Sequence, residues 1–264
     1  MEYKGNLLKM RAVIGKPINY HLPLSENLID MNSLIGEHIE IVYQNAIYCI
    51  KCGRKTNKSF SQGFCYPCFQ TAPETEECVL RPELCQAHEG IARDMEFARS
   101  HCLIDHFVYL SVTSGIKVGV TRSTQIPTRW IDQGATSAII IAKTPNRYIA
   151  GLIEVALKAH MADKTNWRNM LRGIATEVNL ESERQKCTGL LPIELRQYAT
   201  EEFMPESLEY PVSNYPMKVV SANLDKNPVL SGRLSGIKGQ YLIFDDNQVI
   251  NIRKYGGYSV ILRT

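Results

Sequence analysis

Seven of the eight cysteines in this 264-residue chain fall between Cys49 and Cys102, and that crowding limits what the chain can fold into more than any other feature. The N-terminal stretch MEYKGNLLKMRAVIGKPINYH is broken by charge every few residues and does not read as a signal peptide. No run approaches the roughly 18 apolar residues that span a bilayer. The expected setting is therefore cytoplasmic, with no membrane partner. Thiols there stay reduced, so clustered cysteines point to metal before disulfides.

Cys49-Ile-Lys-Cys52 and Cys65-Tyr-Pro-Cys68 give two C-x2-C knuckles separated by twelve residues. Two thiolates three positions apart can reach one ion from a tight turn, and two such pairs complete a tetrahedral zinc site. Gly53 and Gly63 flank the knuckles, where the chain must turn around the sulfurs. Four protein ligands leave no open position, so the expected zinc is structural. A redox pair of C-x-x-C motifs would want one motif opening a helix in a thioredoxin-like βαβ setting, which this stretch lacks.

Further along come Cys78, Cys85 and His88, then His101, Cys102 and His106. The segment from Glu89 to Ser100 reads as a helix with Ile91, Met95 and Ala98 on one face. Its two ends would lie about 20 Å apart if straight, so a shared ion requires a fold-back. The expected second zinc takes Cys78, Cys85, His88 and His106, with Cys102 as the first substitute and His101 as another. Cys187 stands alone in a charged helical stretch and reads as a structural thiol.

Charge is as uneven as cysteine. Residues 107–172 carry nine basic and three acidic residues, whereas 173–210 carry three and eight. Five segments follow: a β-rich N-terminal segment (1–48), a zinc-binding region (49–106), an α/β module (107–172), an acidic helical segment (173–210) and a β-rich C-terminal segment (211–264). Leu34 to Ile50 alternates around Gln44-Asn45 and reads as a hairpin. Gly236 to Phe244, a turn at 245–248 and Val249 to Arg253 give the C-terminal end the same character, so the two ends are expected to share a small barrel or sheet.

In the central module, Phe107–Val112 and Ile116–Thr121 read as strands joined by Thr113-Ser-Gly115. A polar loop then enters a short helix at Arg129-Trp130, Ala138–Ala142 forms a third strand, and Pro145 opens a long helix bearing Ile149, Leu152, Ile153, Ala156 and Leu157. Val108-Tyr109-Leu110, Lys117-Val118-Gly119, Arg129 and Glu154 together resemble the GIY-YIG nuclease module. The resemblance implies that Tyr109, Arg129 and Glu154 surround a scissile phosphate, with Glu154 holding a divalent metal, usually magnesium, and Arg129 stabilising phosphate charge. Lys117 occupies the position of that family's second tyrosine, which argues for loss or change of activity. Lys117 could instead offer a point charge or, desolvated, a base. Plainer readings stand beside these: Glu154 with Lys158 as a helix pair, Arg129-Trp130 as a stacked pair, and Tyr109 as a core residue with a bonded hydroxyl.

Gln62-Gly-Phe-Cys-Tyr-Pro-Cys-Phe69, Arg81-Pro-Glu-Leu-Cys85 and Pro127-Thr-Arg-Trp-Ile-Asp-Gln-Gly134 resemble an uncharacterised prokaryotic zinc-ribbon family, catalogued as a domain of unknown function. These readings add up to an α+β fold: a zinc-ribbon or knuckle region, a GIY-YIG-like mixed sheet with helices, and β-rich ends. The leading functional expectation is a zinc-containing protein that binds RNA or DNA, with phosphodiester cleavage open. Basic and aromatic residues of the first knuckles (Lys51, Arg54, Lys55, Lys58, Phe60, Tyr66, Phe69) and of the C-terminal strands (Arg253-Lys254-Tyr255, Tyr258) would supply phosphate contacts and stacking faces. The alternative is a non-catalytic adaptor that uses its zinc sites as a scaffold for a protein partner. A small-molecule enzyme finds little support, since no P-loop, G-x-G-x-x-G or G-x-S-x-G appears.

Overall fold

A computed structural model describes residues 1–161 and 166–264; residues 162–165 of the basic segment lie outside the described residues. The chain divides into two compact units. One comprises Met1–Gln70, Leu171–Gly173 and Leu208–Thr264, and the other Thr71–Met170 and Ile174–Ser207. The cysteine-rich stretch is thereby shared out, with Cys49 to Cys68 in the first unit and Cys78 to Cys102 in the second. No helix of the described residues is long and apolar enough to cross a membrane.

The first unit holds β1 (Glu2–Asn6), β2 (Arg11–Val13), β3 (Asn19–Leu24), β4 (Asn27–Asp30), β5 (His38–Tyr48) and β6 (Lys55–Thr56). From the C-terminal end come β11 (Val220–Ser221), β12 (Val229–Lys238), β13 (Tyr241–Phe244), β14 (Gln248–Asn251) and β15 (Tyr258–Arg263). The two ends of the chain do share a sheet. Its order is β1-β15-β5-β12-β13-β14-β11, with β6 added at β5, while β2, β3 and β4 form a separate small antiparallel sheet. The order runs from β1 to β11 without closing, so the expected barrel is corrected to an open sheet. Alternating apolar residues, including Ile39, Ile41, Leu234, Ile237, Leu242, Phe244, Val260 and Leu262, bury one face of it.

The hairpin expected around Gln44-Asn45 is also corrected. Residues 38–48 form one long strand, because both of its edges are taken by β12 and β15 and no folding back is needed. Asn45 still uses its tolerance of left-handed backbone (φ 51°), at the point where residues 44–46 of β5 oppose only residue 259 of β15. The turn signal in the sequence became a bulge.

The second unit is built on a four-stranded sheet, β10-β9-β7-β8, from β7 (His106–Val112), β8 (Ile116–Arg122), β9 (Ser137–Thr144) and β10 (Glu206–Ser207). Its longest helix, Arg147–Lys158, begins where the Asn146 side chain accepts a hydrogen bond from the Ile149 amide at 3.0 Å. Counting α1 (Tyr66–Thr71), α2 (Met95–His101) and α3 (Thr128–Asp132) before it, this helix is α4; α5 (Trp167–Leu171) and α6 (Leu180–Leu190) follow. Ala150, Ile153 and Leu157 of α4 pack with Val108, Leu110, Ile139 and Ile141 of the sheet and Leu180 of α6. Cys187 belongs to this core; its thiol lies 3.4 Å from the Met161 sulfur, and burial pushes it up to about 11. The helix expected over 89–100 is shorter than read. Gly90 turns left-handed (φ 83°), and Asp94 caps a helix that starts only at Met95.

One buried charge in the first unit yields a pH prediction. Lys238 is 1% exposed, with its ammonium 5.3 and 5.2 Å from the rings of Tyr210 and Tyr215, and burial pulls it down to about 8. The folded chain then sheds this proton before the unfolded chain does, so stability should rise as pH climbs from about 8 towards 10.5. Urea unfolding should show that rise in wild type, by at most about 3 kcal/mol because the two rings offset part of the burial cost. Lys238→Met should remove it; parallel pH curves for the two proteins would refute the assignment.

Candidate functional site

In the first unit the four thiols of Cys49, Cys52, Cys65 and Cys68 lie within 4.8 Å of one another. The knuckle loops are held from outside by backbone: Ile50 donates to Gly63, Tyr48 to Gly257, and Cys49 to Arg54, all at 2.7 to 2.9 Å. Burial opposes ionisation of Cys49, yet amides of Cys65, Cys52 and Lys51 point at its sulfur and bring the thiol down to about 6. A sulfur already surrounded by donors and by three other thiols is a ready thiolate ligand, so this group fits a tetrahedral zinc ion with no open position.

The second cluster consists of Cys78, Cys85 and Cys102, again within 4.8 Å of one another and all buried. Cys102 takes the place the sequence reading gave to histidine. His106 is buried on β7, its Nδ1 is 2.8 Å from the Ile104 carbonyl, and burial holds its ring neutral down to about 4. His88 stacks on Tyr148 with ring centroids 4.3 Å apart, and His101 stacks on Phe97 with Nδ1 3.1 Å from the Phe97 carbonyl. The structure therefore does not gather His88 or His106 with Cys78 and Cys85. The fold-back that the spacing demanded is made by the short α2, whose end delivers Cys102.

Arg147 secures this cluster. Its Nη1 lies 3.2 Å from the Cys78 sulfur, its Nη2 donates to the His101 carbonyl at 3.1 Å, and its amide donates to the Cys102 carbonyl at 2.8 Å. Cys85 is drawn down to about 3 by the neighbouring thiols of Cys102 and Cys78, against burial and with help from the Arg147 charge. Nothing in the sequence pattern marked Arg147. It sits at the start of a helix, where its length and charge become meaningful only once the thiols lie beneath it.

Tyr109, Lys117, Arg129 and Glu154 meet at a different point of the same unit. Lys117, Gly119, Arg129, Gln133, Glu154 and Lys158 line a small cavity of about 130 Å³. The fully buried Tyr109 donates to Gln133 at 3.0 Å, and the Arg129 guanidinium hydrogen-bonds to the same phenol. Burial dominates and raises the Tyr109 hydroxyl, so it stays a neutral donor or acceptor. Gly119 is needed here, since a Cβ on it would come within 2.6 Å of the Tyr109 hydroxyl. Glu154 is 7% exposed, with its carboxylate 3.4 Å from the Lys158 ammonium; burial raises its pKa and Lys158 pulls the other way.

The cavity thus gathers three cations and one carboxylate, a set suited to an anion with trigonal or tetrahedral oxygens. It does not support the expected magnesium. Among the described residues no group of three metal-ligating side chains includes Glu154, and Lys158 already sits on its carboxylate. The expected GIY-YIG similarity is not shown either.

The aromatic faces divide. Tyr66 and Phe69 are exposed beside Phe60, with ring centroids 5.4 and 5.8 Å from it, and Lys58 lies over the Phe60 ring. Tyr255 and Tyr258 are buried, so the C-terminal stacking face is corrected to core. Tyr258 donates to Asp225 at 3.0 Å, and Tyr255 donates to the Ala222 carbonyl at 3.3 Å.

A family model described as "Protein of unknown function (DUF2797)" matches residues 36–260. The chain belongs to this DUF2797 family. The match spans both cysteine clusters and the cationic cavity. No curated protein and no solved structure matches the chain.

The two thiol groups set a countable expectation. Native mass spectrometry should find two zinc ions per DUF2797 chain, and one in Cys85→Ser. One ion in wild type would remove the second centre, and none would remove both.

Proposed function

We propose that this protein is a zinc-stapled nucleic-acid-binding protein whose cationic cavity seats a backbone phosphate. The observation that carries the reading is the convergence of Lys117, Arg129 and Lys158 on one cavity that Gln133, the partner of the buried Tyr109 phenol, also lines. A guanidinium can grip two phosphate oxygens at once, and each ammonium adds a point charge. The exposed Tyr66 and Phe69, with Lys58 and the half-buried Phe60 beside them, offer stacking faces of the kind that single strands use.

The reading is tested by fluorescence anisotropy with single-stranded RNA and duplex DNA across a salt series. Affinity should fall steeply with salt, because each phosphate neutralised releases counterions. Arg129→Ala and Lys117→Ala should each weaken binding by about tenfold and lower the salt slope by about one. Salt-independent association with a protein partner would favour the adaptor reading instead.

A second reading, phosphodiester cleavage, draws support from the meeting of all four residues that carry the GIY-YIG resemblance. Glu154, whose pKa burial raises, would serve as the proton-exchanging group, and Arg129 with Lys117 would neutralise charge building on phosphate. Glu154→Gln should then abolish cutting of either substrate while leaving its binding intact. Equal cutting by the two proteins would remove Glu154 from any mechanism and identify a contaminant.

A further inference from the structure

Cys78, Cys85 and Cys102 all line a cavity of about 550 Å³, within the range that holds small-molecule ligands. We propose that a zinc ion at these three thiolates keeps its fourth coordination position open to this cavity, where it takes an exogenous neutral nitrogen donor.

The side chains near the cluster that could close the site are turned to other partners. His88 also lines the cavity, but it is stacked on Tyr148 with Nε2 3.9 Å from Glu89 and is not grouped with the three thiols. His101 and His106 turn Nδ1 to the Phe97 and Ile104 carbonyls, and among the described residues no histidine nitrogen joins the three thiols within 4.8 Å. The nearby carboxylates are engaged as well. Glu76 accepts from the Arg93 amide at 3.2 Å, while Glu77 and Glu83 both pair with Arg81, at 3.2 and 3.3 Å. The first centre has four thiols and is closed; this one has three, all of which line the cavity. Zinc sites with three protein ligands are the ones that keep an exchangeable position.

Charge selects the class of ligand. Three thiolates and a divalent ion leave one negative charge, and the Arg147 guanidinium on Cys78 balances it. A fourth ligand that is itself anionic would bring uncompensated charge into a buried place, at a mouth lined by Glu76, Glu77, Glu83 and Glu89. A neutral imidazole or amine avoids that cost, and the Tyr148 ring with Ile91 and Ala92 gives its carbon skeleton an apolar wall.

The inference is independent of the nucleic-acid reading and is tested on the full chain loaded with cobalt(II). Metal content is counted first, and imidazole is then titrated while the visible bands are followed. With two cobalt ions per chain, imidazole should change the bands of one ion in a saturable way and leave the four-thiol ion unchanged. Ala92→Trp, which crowds the cavity and keeps every ligand, should retain both ions and weaken the imidazole response by about tenfold. Two ions with no response in wild type would overturn the open position. So would a response that appears only in His88→Ala, since His88 would then be the resident fourth ligand. A single ion per chain would overturn the centre itself.

Discussion

Helix α4 sits hard against the backbone of residues 82–83, and the chemistry of the second unit hangs on that seating. A Cβ on Gly151 would come within 2.2 Å of the Glu83 amide, so only glycine allows the approach. One turn earlier on the same helix, Arg147 binds the Cys78 sulfur and the carbonyls at the end of α2. Nearly a turn later, Glu154 enters the cationic cavity, whose wall includes Val79, Leu80 and Pro82 from the loop between Cys78 and Cys85. Thiol cluster and cavity therefore share two walls, one helix and one loop. A metal at the cluster would pin both ends of that loop, which forms one wall of the cavity. Close packing keeps that wall in place, because a Cβ at Gly151 would meet backbone.

Much of this was legible in the sequence, and the parts that were share a physical reason. The strands and helices of 106–158 announced themselves through local periodicity, a proline at the mouth of the long helix and short connections, all of which act over a few residues. The four-thiol site was legible for the same reason, as each knuckle is a local turn. The second cluster was not. Its ligands come from three separate segments, and whether Cys102 or a histidine completes the set depends on how a seven-residue helix ends. Spacing cannot tell a ring that stacks on an aromatic neighbour, as His88 does, from one that turns towards sulfur. The Asn45 signal failed by another route, because a residue tolerant of left-handed backbone serves a bulge as well as a turn, and long-range pairing with β15 decided which.

The two cysteine groups solve different problems. The first closes a small loop that has little apolar side chain of its own, and four sulfurs around an ion would supply the missing core. The second lies on one side of a unit that already has a substantial core in the β7–β9 sheet and α4. Three thiols and a cavity are poorly spent as a staple there. That asymmetry, and not the number of cysteines, is what the proposed open position of the second centre rests on.

The basic balance of residues 107–172 hides a similar division of labour. Lys117, Arg129 and Lys158 converge on the cavity, whereas Arg147 faces sulfur and Lys143 pairs with Asp105 at 3.1 Å. A segment charge counts these alike, but their effects differ in kind. An exposed pair such as Lys143 with Asp105 is screened by salt and contributes little. Cations held against a buried carboxylate and a neutral phenol are partly desolvated already, so the cost of gathering them is met by folding and not by the ligand. On the proposed reading, an anion entering that cavity would find its partners in place, and this preorganisation, more than net charge, would set its specificity.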